Sequence, residues 1–323
     1  MRPRDGQLAP PQPERGQASP EWLALILVVA VLLGALLTLA GALPVRAVLA
    51  RTIGSKIICA VDLSNSCRSE PELVAAFGEE LAAELRDHAP AVFYEQGMRA
   101  LPVDYRRCRQ AACADLAGDG VASRSREGVP PAAFVHVVDC REGTASPFAG
   151  VNSPADCRGD RAENLYLQYW FYYPESATLR GLPVAGPNGY HHDDWESYQV
   201  RIGGGGGGGV AARASSHHGY NYGGGARNWG SDLGSGVLNG AAELAGLRSP
   251  GGWGPETGSL FVSGGSHAGN VDSRRCCRIT PRSRLRLIPL DPAAAGERGQ
   301  PSFAISPPWD KDVWVDPEAG GTG

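Results

Sequence analysis

The sequence predicts a mainly β protein, an antiparallel β-sandwich with long loops, preceded by a transmembrane helix and a short juxtamembrane helix. Three observations predict it. Apolar and aromatic runs of four to nine residues recur after residue 90, divided by Gly, Pro, Asn and Asp. Sustained apolar residues at helical spacing occur once, over 70–87. One long uncharged stretch, 22–43, lies near the N-terminus.

Residues 1–21 are rich in Pro and Gln and too polar to bury a core, so they read as a disordered tail. Residues 22–43 carry no charge, enough helix to cross a bilayer core of roughly 30 Å at about 1.5 Å per residue. The rival is a cleaved signal peptide, with Ala40-Gly41-Ala42 and Val45-Arg46-Ala47 as candidate peptidase sites and a secreted product. The apolar run and the leader are both long for a signal, which favours a retained anchor. Arg2, Arg4 and Arg15 precede the span while Arg46, Arg51 and Lys56 follow it, so charge does not orient it. Cysteines do. All eight follow the span, and their even number fits disulfides made outside the cytoplasm. Local pairing would join Cys59–Cys67, Cys108–Cys113 and Cys140–Cys157, among about 105 connectivities that eight cysteines allow.

Residues 44–88 form a juxtamembrane segment. Ser69 and Glu72 make a capping box, and Val74, Phe77, Leu81 and Leu85 follow at helical spacing, so the helix 70–87 ends near His88-Ala89-Pro90. The sandwich occupies 89–317, with strands expected at 91–94, 133–138, 165–173, 196–202, 210–215, 259–263 and 285–290. A short helix is expected around 105–114. Seven consecutive glycines, 203–209, read as a hairpin tip and lack the Lys-Ser/Thr continuation of a phosphate loop. From Pro307 the chain reads as an extended strap that frays over 318–323.

Net charge is −4, from 30 basic and 34 acidic residues, with no basic block, which argues against nucleic acid as a partner. Only Lys56 and Lys311 are lysines; arginine dominance beside abundant Ala and Gly fits the codon bias of a GC-rich bacterial genome.

The richest segment is His191-His192-Asp193-Asp194-Trp195-Glu196. In an extended chain Asp194 and Glu196 project from one side. Carboxylates so close repel unless a cation, a proton or an Arg lies between them. With His191 or His192 nearby, a divalent metal is the economical explanation; a solvated strand end with an Asp-rich turn is the plainer one. His217 and His218 follow the glycine hairpin, so their strand should pair with that of Asp194 and Glu196. His267 ends the apolar run 260–262. Five of the seven histidines fall in these three segments. The candidate ligands are therefore His191, Asp194, Glu196, His217 and His267. Such a set would accept Mg²⁺, Ca²⁺, Mn²⁺ or Zn²⁺. The aromatic run 169–173 could form a glycan-stacking or lipid-interface platform, but alternating core and surface positions of a central strand explain it more simply. Trp195 reads as a core anchor.

The run Leu167-Gln168-Tyr169-Trp170-Phe171-Tyr172-Tyr173-Pro174, then His191-x-x-Asp194-Trp195-Glu196, resembles the necrosis-inducing protein family of secreted microbial proteins. With Gly265-Ser266-His267-Ala268, the chain is still more similar to the vacuolar-sorting-protein-related family of plants and fungi. The resemblance spans roughly residues 89 to 317 but rests on three short clusters. It implies a β-sandwich with a cation site at one end, His191, Asp194 and Glu196 as ligands, and Mg²⁺ or Ca²⁺ as the favoured ion. Glu175 stands where the toxins supply a further Asp. His192 and Asp193 fill the middle positions and would orient the ligands. Cytolytic activity does not carry over with a fold.

The function expected from the sequence is metal-supported binding of a cell-envelope or extracellular component, such as a glycan or lipid, by a protein anchored through one span. The alternative is a metal-dependent hydrolase of envelope phosphoesters or glycans, in which Asp193, His192 or His217 is the base. A serine hydrolase is disfavoured because Gly264-Gly265-Ser266-His267 lacks the nucleophile elbow.

Overall fold

The structure, a computed structural model, describes residues 71–118, 120–141, 157–177, 190–203, 209–216, 219–222, 252–271, 278–290 and 303–319. The chain divides at Asn65–Ser66 into two units, and the described residues all belong to the second. The expected span 22–43, the tail 1–21 and the pair Cys59–Cys67 lie outside the described residues. Among the described residues no helix is long and apolar enough to cross a membrane.

Helix α1 spans Pro71–Asp87, with Pro71 at its first turn, where a missing N–H costs nothing. Leu73, Leu81 and Leu85 are buried in the core. The expected continuous four turns are interrupted at Gly78, whose φ of +79° is open to glycine because it has no Cβ. The helix end is tied to the sandwich. The Tyr169 hydroxyl donates to the Leu85 carbonyl at 2.7 Å, and Arg86 Nη1 donates to the Leu285 carbonyl at 3.0 Å. The first of these occupies a carbonyl that the helix itself leaves open.

The strands are β1 (Ala91–Tyr94), β2 (Ala132–Asp139), β3 (Asn164–Ala177), β4 (Tyr190–Gly203), β5 (Gly209–Ser216), β6 (Gly219–Asn221), β7 (Gly254–Pro255), β8 (Ser259–Val262), β9 (Gly269–Asn270), β10 (Arg278–Thr280) and β11 (Arg286–Pro289). They form a four-stranded sheet, β10-β1-β8-β9, and a seven-stranded sheet, β11-β2-β3-β4-β5-β6, with β7 also on β5. Buried residues of both sheets belong to one hydrophobic core. The sheets approach closely at Gly269, where an added Cβ would lie 2.9 Å from both Ala214 Cβ and Leu260 Cδ1.

The expectation of a wholly antiparallel sandwich is corrected. β1 pairs parallel with β8, and β2 parallel with β11. Both pairings join strands far apart in sequence, so no hairpin signal announces them. The helix expected over 105–114 contracts to α2, Ala111–Ala114. Before it, Asp104 accepts from the Arg106 backbone N–H at 3.1 Å, turning the chain, and Cys108 is bonded to Cys113. Cys140–Cys157 is the second disulfide among the described residues.

The hairpin β3–β4 is the spine of the larger sheet, paired from Asn164↔Gly203 to Ala177↔Tyr190. Its aromatic run is buried throughout: Tyr169, Trp170, Phe171, Tyr172 and Tyr173 are each 0% exposed. Neither an alternation of core and surface nor an exposed stacking platform survives. The second face is covered by the C-terminal segment, residues 303–319. This is not the extended strap expected: it carries a 3₁₀ turn, Pro308–Asp310, and a short helix α3, Asp312–Val315. Trp314 stacks on His136 with ring centroids 3.6 Å apart, and Gln168 Nε2 donates to the Val313 carbonyl at 2.7 Å. Further along, Glu318 accepts from Tyr166, Trp253 and Arg201 at 2.7, 2.7 and 2.9 Å.

Candidate functional site

Between the pairs Tyr173↔Asp194 and Glu175↔His192, the ladder passes Pro174, which has no N–H, and Asp193, whose φ is +58°. Left-handed backbone is unusual for a non-glycine residue and is held here by its surroundings. Asp193 accepts from the Tyr172 hydroxyl at 2.6 Å, from Arg109 Nη2 at 2.8 and 2.9 Å, and from the Ala304 N–H at 3.1 Å. Burial pushes its carboxyl pKa up, but these partners outweigh burial and hold it below the ordinary value. Asp193 therefore serves a clamp of its own, on the side of Trp195 and Phe303, and not the orienting role expected of it.

Asp194 leaves β4 on the other side. Its Oδ2 lies 2.7 Å from His267 Nδ1, and its Oδ1 is 4.0 Å from His191 Nε2. His267 is 4% exposed, has a φ of +59°, and stacks on Tyr173 with centroids 3.9 Å apart at 12°. Glu196 accepts from the Ser215 hydroxyl, which also receives the Ser197 N–H at 2.6 Å. A cation joins this pair from the C-terminal segment. Lys311, half-buried at the N-cap of α3, has Glu196 and then Asp194 as its charged neighbours; burial nonetheless pushes its ammonium pKa below the ordinary value.

The structure thus brings Asp194, His267 and His191 together, with Glu196 further along the same strand. His192 is exposed and meets Tyr190 edge-on at 5.3 Å. His217 and His218 lie outside the described residues. Among the described residues, no three His, Cys, Asp or Glu side chains are grouped so as to hold a metal ion. The donors that a divalent cation needs are engaged by protein groups: Asp194 Oδ2 by His267, Glu196 Oε2 by Ser215, and His191 Nδ1 by the His192 carbonyl at 3.2 Å. The buried Tyr173 hydroxyl has no hydrogen-bond partner among the described residues. A phenol is a partner for water or a polar ligand rather than for a hard divalent ion. The described residues do not fit a resident metal.

Beside this centre lies a cavity of about 500 Å³, lined by Gln96, Arg99, Glu175, Tyr190 and His267 with the backbone of Gly97, Gly264 and Gly265. His267 is therefore shared by the buried centre and the cavity wall. Glu175 is fixed by the Tyr190 hydroxyl, which donates to its Oε2 at 2.8 Å; burial and that carboxylate push the Tyr190 pKa up and keep it a donor. The glycine wall is anchored at two points. The Gly264 N–H donates to Glu95 Oε2 at 2.7 Å, and the Ala177 N–H to the Gly265 carbonyl at 2.8 Å. A rigid wall bearing a carboxylate, a guanidinium, an amide and a phenol can orient a polar ligand through several directed hydrogen bonds. Gln96, Arg99 and Lys311 have no motif in the sequence; only the fold brings them to the site.

No family model and no curated protein matches the chain. It is similar to solved structures of NLPPya, a protein of the NLP toxin fold. The NLPPya complex with glucosamine is 14% identical, with a TM-score of 0.36, over 73% of this chain and 87% of that one. The complex with mannosamine gives 14% and 0.35 over the same shares. A structure described as a toxin fold for microbial attack and plant defense gives 14% and 0.33, over 70% of this chain and 82% of that one. These are NLP proteins, the group that His-x-x-Asp-Trp-Glu resembles. At this identity and these TM-scores the likeness carries no argument about activity here.

Proposed function

We propose that this chain is an extracytoplasmic binding protein for a polar, glycan-type ligand bearing an amine, received in the cavity between the loop after β1 and the ends of β3 and β4. The observation that supports it is the position of Glu175, a carboxylate at the cavity wall that Tyr190 holds in place through one oxygen. An ammonium beside it gains a charge-assisted hydrogen bond, while Gln96, Arg99 and Tyr190 serve hydroxyls. The cavity size lies within the range of small-molecule sites. The two disulfides agree with an oxidising compartment. Anchorage through 22–43 belongs to the same proposal, and a cell-envelope or extracellular glycan is the partner it would present.

Isothermal titration tests it. NLPPya is seen with glucosamine and mannosamine, which makes these amino sugars and their oligomers suitable probes. The protein should bind glucosamine oligomers and prefer them to the glucose equivalents. Glu175→Gln should weaken binding about tenfold or more, the scale of one hydrogen bond to a charged group. Equal affinity for amine and hydroxyl sugars, or for wild type and Glu175→Gln, would refute the reading.

A second reading is favoured by one observation. The Asp194–His267 pair at 2.7 Å on the cavity wall is the arrangement of an imidazole oriented as a general base. It requires turnover of a bound glycan or phosphoester that His267→Gln abolishes while binding persists. Absence of turnover with a ligand that binds would dismiss it.

A further inference from the structure

The sequence sets a condition at β4 that the fold has to meet. Asp194 and Glu196 are two residues apart on a strand, so a positive charge must stand near them. Asp194 is 6% exposed and Tyr173, buried beside it, feels the charge of both carboxylates, so water does not relieve the repulsion. A histidine alone is a weak answer near neutral pH, because its charge is only partly present there. Arginine supplies most cations in this chain, yet the one that arrives here is Lys311.

Its placement is built into the C-terminal segment. Trp309 packs against Trp195, the residue between the two acids, with centroids 6.2 Å apart. Three residues beyond Lys311, Trp314 is stacked on His136, and the Trp314 N–H donates to the Lys311 carbonyl at 3.0 Å. Lys311 is thus pinned from both sides. Its side chain is half-buried, and its charged neighbours are Glu196 and Asp194. Meanwhile each carboxylate gives an oxygen to a protein donor, His267 or Ser215.

We infer that the Lys311 ammonium is the resident cation of the Asp194–Glu196 pair, standing where a divalent metal would otherwise be required, so that the C-terminal segment and not an ion completes this centre. A compact ammonium with three donors can serve several oxygens from one point, whereas a planar guanidinium demands a matching fork. This role of Lys311 in the buried centre is independent of the ligand proposed for the cavity.

The test is divalent-ion binding by the full chain, read by calorimetry and by melting temperature with Mg²⁺, Ca²⁺ or a chelator. Wild type should show no saturable uptake at millimolar ion and no chelator-dependent shift. Lys311→Met should take up one equivalent of ion, and its melting temperature should rise by about 5 °C or more when the ion saturates. Lys311→Arg should remain indifferent to metal, as wild type is. If Lys311→Met does not fold without ion, Lys311→Met/Glu196→Gln should fold, because the repulsion is then halved at its source. One equivalent of metal on wild type, lost in Asp194→Asn, would overturn the inference. So would a Lys311→Met protein that neither binds metal nor is rescued by Glu196→Gln.

Discussion

At the scale of the residue, Asp193 shows how much rests on one carboxylate. It stands in left-handed backbone and accepts four hydrogen bonds from Tyr172, Arg109 and Ala304. Asp193→Asn keeps the shape but removes the charge that Arg109 pairs with. It should destabilise the fold by about 2 to 3 kcal/mol in urea titration, the cost of losing hydrogen bonds to a charged group. The native pKa of Asp193 lies below the unfolded one, so its contribution is present above the ordinary carboxylate range. That contribution fades as pH falls through the native value. The stability difference between wild type and Asp193→Asn should therefore shrink on acidification; a difference that stays constant with pH would contradict this account. The sequence marks 191–196 as the site but cannot tell Asp193 from Asp194. Alternation puts them on opposite faces, and only the fold says that one face holds His267 and the other Arg109.

Among the elements, α1 and the C-terminal segment can be tested separately. Gly78 has nothing within 4 Å of an added Cβ, so the effect of Gly78→Ala is purely conformational. Forcing alanine to φ +79° should cost about 1 to 2 kcal/mol, visible as a lower denaturant midpoint with an unchanged slope. Trp314 is 3% exposed and stacked on His136. Trp314→Ala should cost about 3 to 5 kcal/mol and also disturb the Asp194–Glu196 centre, because it loosens the segment bearing Lys311. Strands are legible where their signal is local. The run 91–94 matches β1 end to end, and the glycine hairpin does pair β4 with β5. The parallel pairs β1–β8 and β2–β11 are not legible, because their partners lie more than 150 residues apart. The aromatic run misleads for the same reason. A strand covered on its second face by a distant segment looks, in sequence, like one that meets solvent.

For the molecule as a whole, His88 links the end of α1 to the loop before β8. Its Nδ1 is 3.0 Å from Glu256 and its Nε2 is 3.4 Å from Glu84. Burial lowers its pKa, yet the two carboxylates outweigh burial and push it up to about 9. Since the native value exceeds the unfolded one, its stabilisation is full below about pH 6.5 and is lost as pH rises through about 9. That loss amounts to about 3 kcal/mol and should vanish from the pH profile of His88→Gln. The cavity, the buried acid centre and the C-terminal segment then form one unit through His267, Tyr173 and Lys311. A crystal structure of the protein with a glucosamine oligomer would decide whether that unit receives an amino sugar. The sugar should lie in the cavity, with its amine within hydrogen-bonding distance of Glu175 and its hydroxyls on Gln96, Arg99 or Tyr190. A sugar bound elsewhere, or in the cavity with its amine turned away from Glu175, would contradict the proposal.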